Sequence, residues 1–237
     1  MIDVEVLATG SKGNCYLLTS GDTRILLDCG LPYKKTLKLL DFKLPTAVLV
    51  THEHQDHAKA AQDFLNHGVD VYMTKGTADA LKLEENHRLK IVKLFQGGRK
   101  LKNCYVGCSP VRHDAAEPVN FIVRDKEDEV QYITDTGYIK DSGIRQTKLL
   151  IEANYSEQDL KNSSIDENQK RRILGNHLSI EQAIDFASRP YVMARLKEIY
   201  LIHISARHGD GEEFKNLIQK VVGEKIKVIV AKNKELA

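Results

Sequence analysis

Residues 51–57 read Thr-His-Glu-His-Gln-Asp-His, which brings His52, His54, Asp56 and His57 within one short run. The apolar stretch Ala47-Val48-Leu49-Val50 precedes it, and Ala58, Ala61, Phe64 and Leu65 follow at helical spacing. The cluster therefore falls where a buried strand gives way to a helix, on a loop that can aim several side chains into one cleft. Without a cation this is poor chemistry, because protonated histidines at a helix N-terminus oppose its dipole. Neutral imidazole and carboxylate are ligands for zinc, manganese or iron. Metal binding is the expectation.

A chain of 237 residues can bury a sizeable core in one large domain or two small ones. No repeat, low-complexity tract or Pro/Gly/Ser linker divides it, so one domain spanning 1–237 is expected. The formal charge of +2 neither requires nor excludes a polyanionic partner. Lys170-Arg171-Arg172, Arg189, Arg195, Lys197 and Arg207 concentrate positive charge in the C-terminal half. A solvated helix face explains any one of them as well as a phosphate contact does. No apolar run approaches the ~20 residues of a membrane span, and Met1-Ile2-Asp3-Val4-Glu5 is unlike a secretory leader. A cytoplasmic protein with reduced thiols is the reading. Cys104 and Cys108 lack a second pair to complete a zinc site and read as strand residues.

The pattern predicts strands near Ile2–Ala8, Cys15–Thr19 and Arg24–Asp28, with Gly21-Asp22 as a turn, and a strand ending at Val50. Further strands are predicted at Val69–Met73, Cys104–Arg112, Asn120–Arg124, Val130–Thr134, Leu149–Ala153, Ile199–Ile202 and Lys227–Val230. Helical patterns occupy Lys34–Leu40, Gly76–Glu85, Ser156–Asn162, Ile180–Ser188 and Gly211–Val222. Hairpins followed by alternating strands and helices suggest sheets covered by helices, an α/β protein.

One loop cannot saturate a hydrolytic metal centre. Of the nine histidines, His113 and His203 follow strand patterns, as does Asp135, whereas His67 and His87 follow helices and read as exposed. With Leu26-Leu27-Asp28-Cys29-Gly30 before His-x-His-x-Asp-His, and His113, Asp135 and His203 after it, the chain resembles the metallo-β-lactamase fold superfamily. Gly10-Ser11-Lys12-Gly13-Asn14-Cys15, His113-Asp114-Ala115, Thr134-Asp135-Thr136-Gly137, Glu152-Ala153-Asn154 and His177-Leu178-Ser179 are similar to the YycJ/WalJ-type group, described as metal-dependent DNA exonucleases. Asn154-Tyr155 departs from the Asn-His that members often carry there. The resemblance implies an αββα four-layer sandwich and two divalent cations, Zn²⁺ or Mn²⁺. His52, His54 and His113 would hold the first, Asp56, His57 and His203 the second, with Asp135 bridging. Asp28 would brace the histidine loop from beneath.

Two cations sharing a bridging hydroxide serve lactams, thioesters and phosphodiesters alike; the leaving group separates them. A nucleoside alkoxide is strongly basic and benefits from a proton donor. Glu152 and His177 resemble the paired motifs of ribonuclease Z, with His177 as donor and Glu152 fixing its tautomer. Asp56, His177 and Glu152 are thus the candidate catalytic residues. A structural reading remains for each of the last two: His177 as a helix cap and Glu152 as a strand-end ion pair. In the loop Gly10–Asn14, Ser11 and Asn14 are candidate phosphate donors, although a tight hairpin turn explains the loop as well. The expected substrate is nucleic acid, DNA or else RNA, attacked from a 5′ end as the resemblance implies. The alternative is a small-molecule hydrolase for a thioester, lactone or cyclic nucleotide, and a third reading is a metal-containing binding module.

Overall fold

A computed structural model describes residues 1–94, 98–140 and 143–235. They group into two compact units. The first comprises Met1–Pro110 and Ala115–Glu127 with the residues from Lys232 onward, and the second comprises Val111–Asp114 and Asp128–Ala231.

In the first unit β1 (Asp3–Ala8), β2 (Cys15–Ser20) and β3 (Thr23–Leu27) form an antiparallel meander. After helix α1 (Tyr33–Leu39) the sheet continues in parallel through β4 (Ala47–Leu49). Helices α2 (Gln55–Ala58) and α3 (Ala61–Asn66) lead to β5 (Asp70–Met73), and α4 (Lys75–Ala80) leads to β6 (Leu89–Ile91). The six strands stand in chain order. Every residue of β4 is buried, as a parallel strand covered on both faces requires. Leu26, Val48, Val71, Phe64 and Leu65 belong to one apolar core beneath the helices. β7 (Arg99–Leu101), β8 (Cys104–Pro110) and β9 (Val119–Arg124) form a second antiparallel ribbon.

The second unit is a parallel sheet in the order β10 (Glu129–Ile133), β11 (Lys148–Glu152), β12 (Glu198–Ile202) and β13 (Lys227–Val230). Helices α5 (Glu157–Asn162), α6 (Glu167–Asn176), α7 (Ile180–Ala187) and α8 (Pro190–Met193) lie between β11 and β12 in the chain. α9 (Gly211–Val222) connects β12 to β13. A capping box between Ser179 and Gln182 starts α7. Phe186 of α7 and Phe214 and Ile218 of α9 share one core with Ile151 and Leu201 of the sheet. Because the strands are parallel, their carboxyl ends share one edge, the edge at which open α/β sheets place ligands. Asp135, Glu152 and His203 all lie at that edge or just past it.

The predicted strands are present. The helix expected from Ala58 is broken, because the Ala60 N–H donates to the Cys29 carbonyl at 3.0 Å. The Gly76–Glu85 pattern forms helix only to Ala80. α6 escapes the periodicity because none of its residues is buried. The basic run on it is met by acids, Arg172 by Asp114 at 3.0 Å and Lys170 by Glu167 at 3.4 Å. His67 and His87 are exposed, and Cys104 and Cys108 lie on β8.

Candidate metal centre

In the first unit three loops are tied together by backbone hydrogen bonds. Asn14 N–H donates to the Asp56 carbonyl at 2.7 Å, Cys29 N–H to the His57 carbonyl at 2.7 Å, and Gly30 N–H to the Asn14 carbonyl at 3.0 Å. A side chain at Gly30 is impossible without rearrangement: its Cβ would lie 1.8 Å from the Asp56 carbonyl oxygen. The glycine after β3 is what lets the histidine loop settle against this strand end.

Asp28, fully buried, organises that loop. Its Oδ1 accepts from Thr51 N–H at 2.8 Å and Thr51 Oγ1 at 3.0 Å, and its Oδ2 lies 2.7 Å from His57 Nδ1. Thr51 Oγ1 also lies 3.0 Å from His52 Nδ1. With each Nδ1 engaged, Nε2 is the nitrogen that both rings present, the arrangement by which a carboxylate or hydroxyl orients a metal-binding imidazole. His52 Nε2 and His54 Nδ1 stand 3.1 Å apart, and His57 Nε2 is 3.5 Å from Asp56 Oδ2. Asn14 is buried inside its own loop, where its Oδ1 accepts from Gly10 N–H and Tyr16 Oη, and its Nδ2 lies 3.1 Å from His57 Nε2. Ser11 is exposed.

The second unit gathers His113, Asp135, Glu152, His177 and His203. One ligand atom from each of Asp135, Glu152, His177 and His203 lies within 4.8 Å of the others. Glu152, at the end of β11, is buried; its Oε1 is 2.7 Å from His177 Nδ1 and 2.8 Å from His203 Nδ1. Its Oε2 accepts from Leu178 N–H at 3.2 Å and Thr136 N–H at 3.3 Å. Asp135 Oδ1 is 3.1 Å from His203 Nδ1, and Oδ2 is 3.6 Å from His113 Nε2. His113 Nδ1 lies 3.1 Å from the Asn176 carbonyl, which leaves Nε2 on the Asp135 side. Gly137 allows its loop to approach the end of α6, since a Cβ there would come 2.2 Å from the Gly175 carbonyl oxygen. His177 is the cap residue of that helix.

Burial would push the Glu152 carboxyl up, but the adjacent His177 charge and the hydrogen bonds from His177 and His203 hold it below the ordinary carboxylate value. Burial opposes a charge on His177, yet Glu152 beside it raises its pKa above the ordinary histidine value. Both directions favour the charged form of each partner, and the contact engages only Nδ1 of the ring.

The donors, imidazole nitrogens and carboxylate oxygens held by a hydrogen-bonded surround, fit a divalent cation. Burial pushes the Cys15 and Cys29 thiols well up, and among the described residues no cysteine belongs to a candidate ligand group. Sequence reasoning missed Thr51, although it stands in the motif itself, and the Asn154 amide, which donates to the His203 carbonyl at 2.9 Å. Among the described residues, no helix is long and apolar enough to cross a membrane.

A family profile described as "Beta-lactamase superfamily domain" matches residues 23–204, which contain every candidate site residue except Ser11 and Asn14. An exodeoxyribonuclease YycJ of Bacillus anthracis is 30% identical over 235 residues, covering 93% of this chain and 89% of the relative. An exodeoxyribonuclease WalJ of Streptococcus pneumoniae is 31% identical over 221 residues, covering 84% of this chain and 80% of the relative. Among solved structures, the metallo-β-lactamase fold protein YhfI of Bacillus subtilis superposes with a TM-score of 0.75 at 20% identity, over 99% of this chain and 97% of that one. The α/β fold expected from the strand and helix pattern is thus the metallo-β-lactamase fold. The chain belongs to the β-lactamase superfamily, in its metallo-β-lactamase-fold branch and the YycJ/WalJ-type group, and is a metal-dependent hydrolase.

Proposed function

We propose that the chain is a dinuclear phosphodiesterase, a 5′-to-3′ DNA exonuclease that uses Zn²⁺ or Mn²⁺ in the cytoplasm. His52, His54 and His113 would hold one cation, Asp56, His57 and His203 the other, and Asp135 would bridge them. When bound, the cations supply an activated water and charge to polarise the phosphoryl oxygen. The observation that carries the reading is the His177–Glu152 pair, with its 2.7 Å contact between His177 Nδ1 and Glu152 Oε1. That contact leaves His177 Nε2 as the atom that gives a proton to the departing alkoxide. Glu152 fixes the tautomer and supports the positive charge until the proton leaves. A thioester expels a thiolate, a much weaker base than an alkoxide, and has less need of such a donor. Ser11, exposed on the loop whose shape Asn14 holds, is proposed to meet a substrate phosphate. The names of the two relatives support DNA as substrate, and four free thiols favour a reducing compartment.

The test is degradation of single- and double-stranded DNA, labelled at either end, beside thioesters, lactones and cyclic nucleotides, with zinc or manganese. Release of mononucleotides from the 5′ end is expected. Turnover of a small ester with intact nucleic acid would remove the proposal in favour of a small-molecule hydrolase.

A further inference from the structure

The antiparallel ribbon of the first unit carries a feature that phosphodiester chemistry does not use. Its register sets Lys100 opposite Tyr105 and Tyr105 opposite Arg124, a row across three strands. Residues directly opposite in antiparallel strands share a face. The alternate residues Leu101, Cys104, Val106 and Val123 are buried, so the row points away from the core. Tyr105 is 45% exposed, and the Arg124 guanidinium carbon lies 5.9 Å from its ring centroid. Lys102 and Lys126 flank the row, and the surface lines a cleft of about 680 Å³. Its acids are engaged: Asp125 meets the Met1 amino group at 2.9 Å and Ser20 Oγ at 2.8 Å, and Glu127 lies 3.4 Å from the same amino group. Lys102 meets Asp22 Oδ2 at 3.6 Å, a pair in which both side chains are largely exposed.

An exposed ring bracketed by cations is the surface that binds single-stranded nucleic acid, with a base on the ring and phosphates against the charges. We infer that this face is a second nucleic-acid site, which holds a single strand away from the end being cut. It rests on the nuclease reading for its purpose but not for its binding. Val119, whose N–H donates to the Thr51 carbonyl at 3.0 Å, pairs with Pro110 at the histidine-loop end of β8 and β9. Tyr105 and Arg124 pair five residues further along, about 17 Å away at strand rise. A strand must therefore extend several nucleotides beyond the loop to reach the ring.

The test uses the metal-loaded protein, a phosphorothioate oligothymidylate much longer than that span for binding, and bis(p-nitrophenyl) phosphate as a diester too small to reach it. Tyr105→Ala should weaken oligonucleotide binding about 5- to 100-fold, and Tyr105→Phe should restore it. Lys100→Gln with Arg124→Gln should flatten the dependence of binding on salt. In every variant turnover of the small diester should be unchanged, while KM for long DNA rises and kcat holds. Unaltered oligonucleotide affinity and salt slope in these variants would overturn the inference. So would binding that shifts to vesicles of anionic phospholipid and not to the oligonucleotide. If the parent cuts no nucleic acid yet its oligonucleotide binding depends on Tyr105, the nuclease reading fails and this site stands. If the parent cuts DNA and Tyr105 is silent, the reverse holds.

Discussion

At residue scale, the His177–Glu152 pair is a division of labour between a proton carrier and the group that aims it. Removing the carrier should cost the proton-transfer advantage, ~10²–10⁴-fold in rate, while the metal ligands stay in place. His177→Ala should therefore lower kcat by that order and keep the parent's metal content by elemental analysis. A variant with undiminished kcat would return His177 to a helix cap. Asp28 tests the other unit. It hydrogen-bonds both Thr51 and His57 from beneath, so Asp28→Asn should loosen the histidine loop and weaken metal binding ~10–100-fold, read by chelator competition. The ligand types were legible because three histidines and an aspartate crowd into one loop. Asp28 was legible as a brace only through the family resemblance, and its partner Thr51 was not legible, since the two stand 23 positions apart and only the folded strands bring them together. Backbone strain was not legible at all. Asp28, Asp135 and His203 each adopt positive φ, of 56°, 46° and 52°, a conformation that costs ~1–2 kcal/mol for a residue with a side chain. Asp41, Phe42, Lys82 and Lys102 share it away from the candidate site, so the strain accompanies the site without identifying it.

At the scale of elements, strand ends do the positioning, and their energetics sit in the sheets. Lys148 of β11 is nearly buried and lies 2.9 Å from Glu198 Oε2 of β12, to which Tyr200 Oη also donates at 2.8 Å. Burial alone would push the Glu198 carboxyl up; the hydrogen bonds from Lys148 and Tyr200 win and hold it below the ordinary value. A depressed carboxyl contributes stability that is present above its unfolded pKa, ~4.3 for glutamate, and lost as pH falls through the folded value. Glu198→Gln should therefore show a shallower acid decline than the parent in urea midpoints from about pH 7 down to pH 3. An identical decline would show that the pair adds no pH-dependent stability. Gly30→Ala probes a loop contact: the clash with the Asp56 carbonyl forces the motif loop off β3, and a loss on the order of 3 kcal/mol or more is expected from the same denaturation experiment. The long strands and amphipathic helices could be read from periodicity. β6 and β7, three residues each, and α6, which buries no side chain, were too short or too polar to leave a pattern.

At the scale of the molecule, the sequence reading of one domain becomes a proposal about cooperativity. Each unit has its own apolar core, one built around β4 and α3, the other around β11, α7 and α9. If those cores were thermodynamically independent, heat or urea would melt them separately. The proposed ligand set draws on both, with His52, His54, Asp56 and His57 from one and His113, Asp135 and His203 from the other. A cation bound by such a set stabilises every segment that must be folded to hold it, by ~2.7 kcal/mol at a free concentration a hundredfold above Kd. The expected result is a single transition, superimposable by far-ultraviolet circular dichroism and by fluorescence of the nine tyrosines, the chain having no tryptophan. Chelation should lower both probes' midpoints together, and added zinc or manganese should raise them together. Two resolved transitions, of which only one responds to metal, would assign the cations to a single unit and dissolve the seven-residue centre along with the single domain.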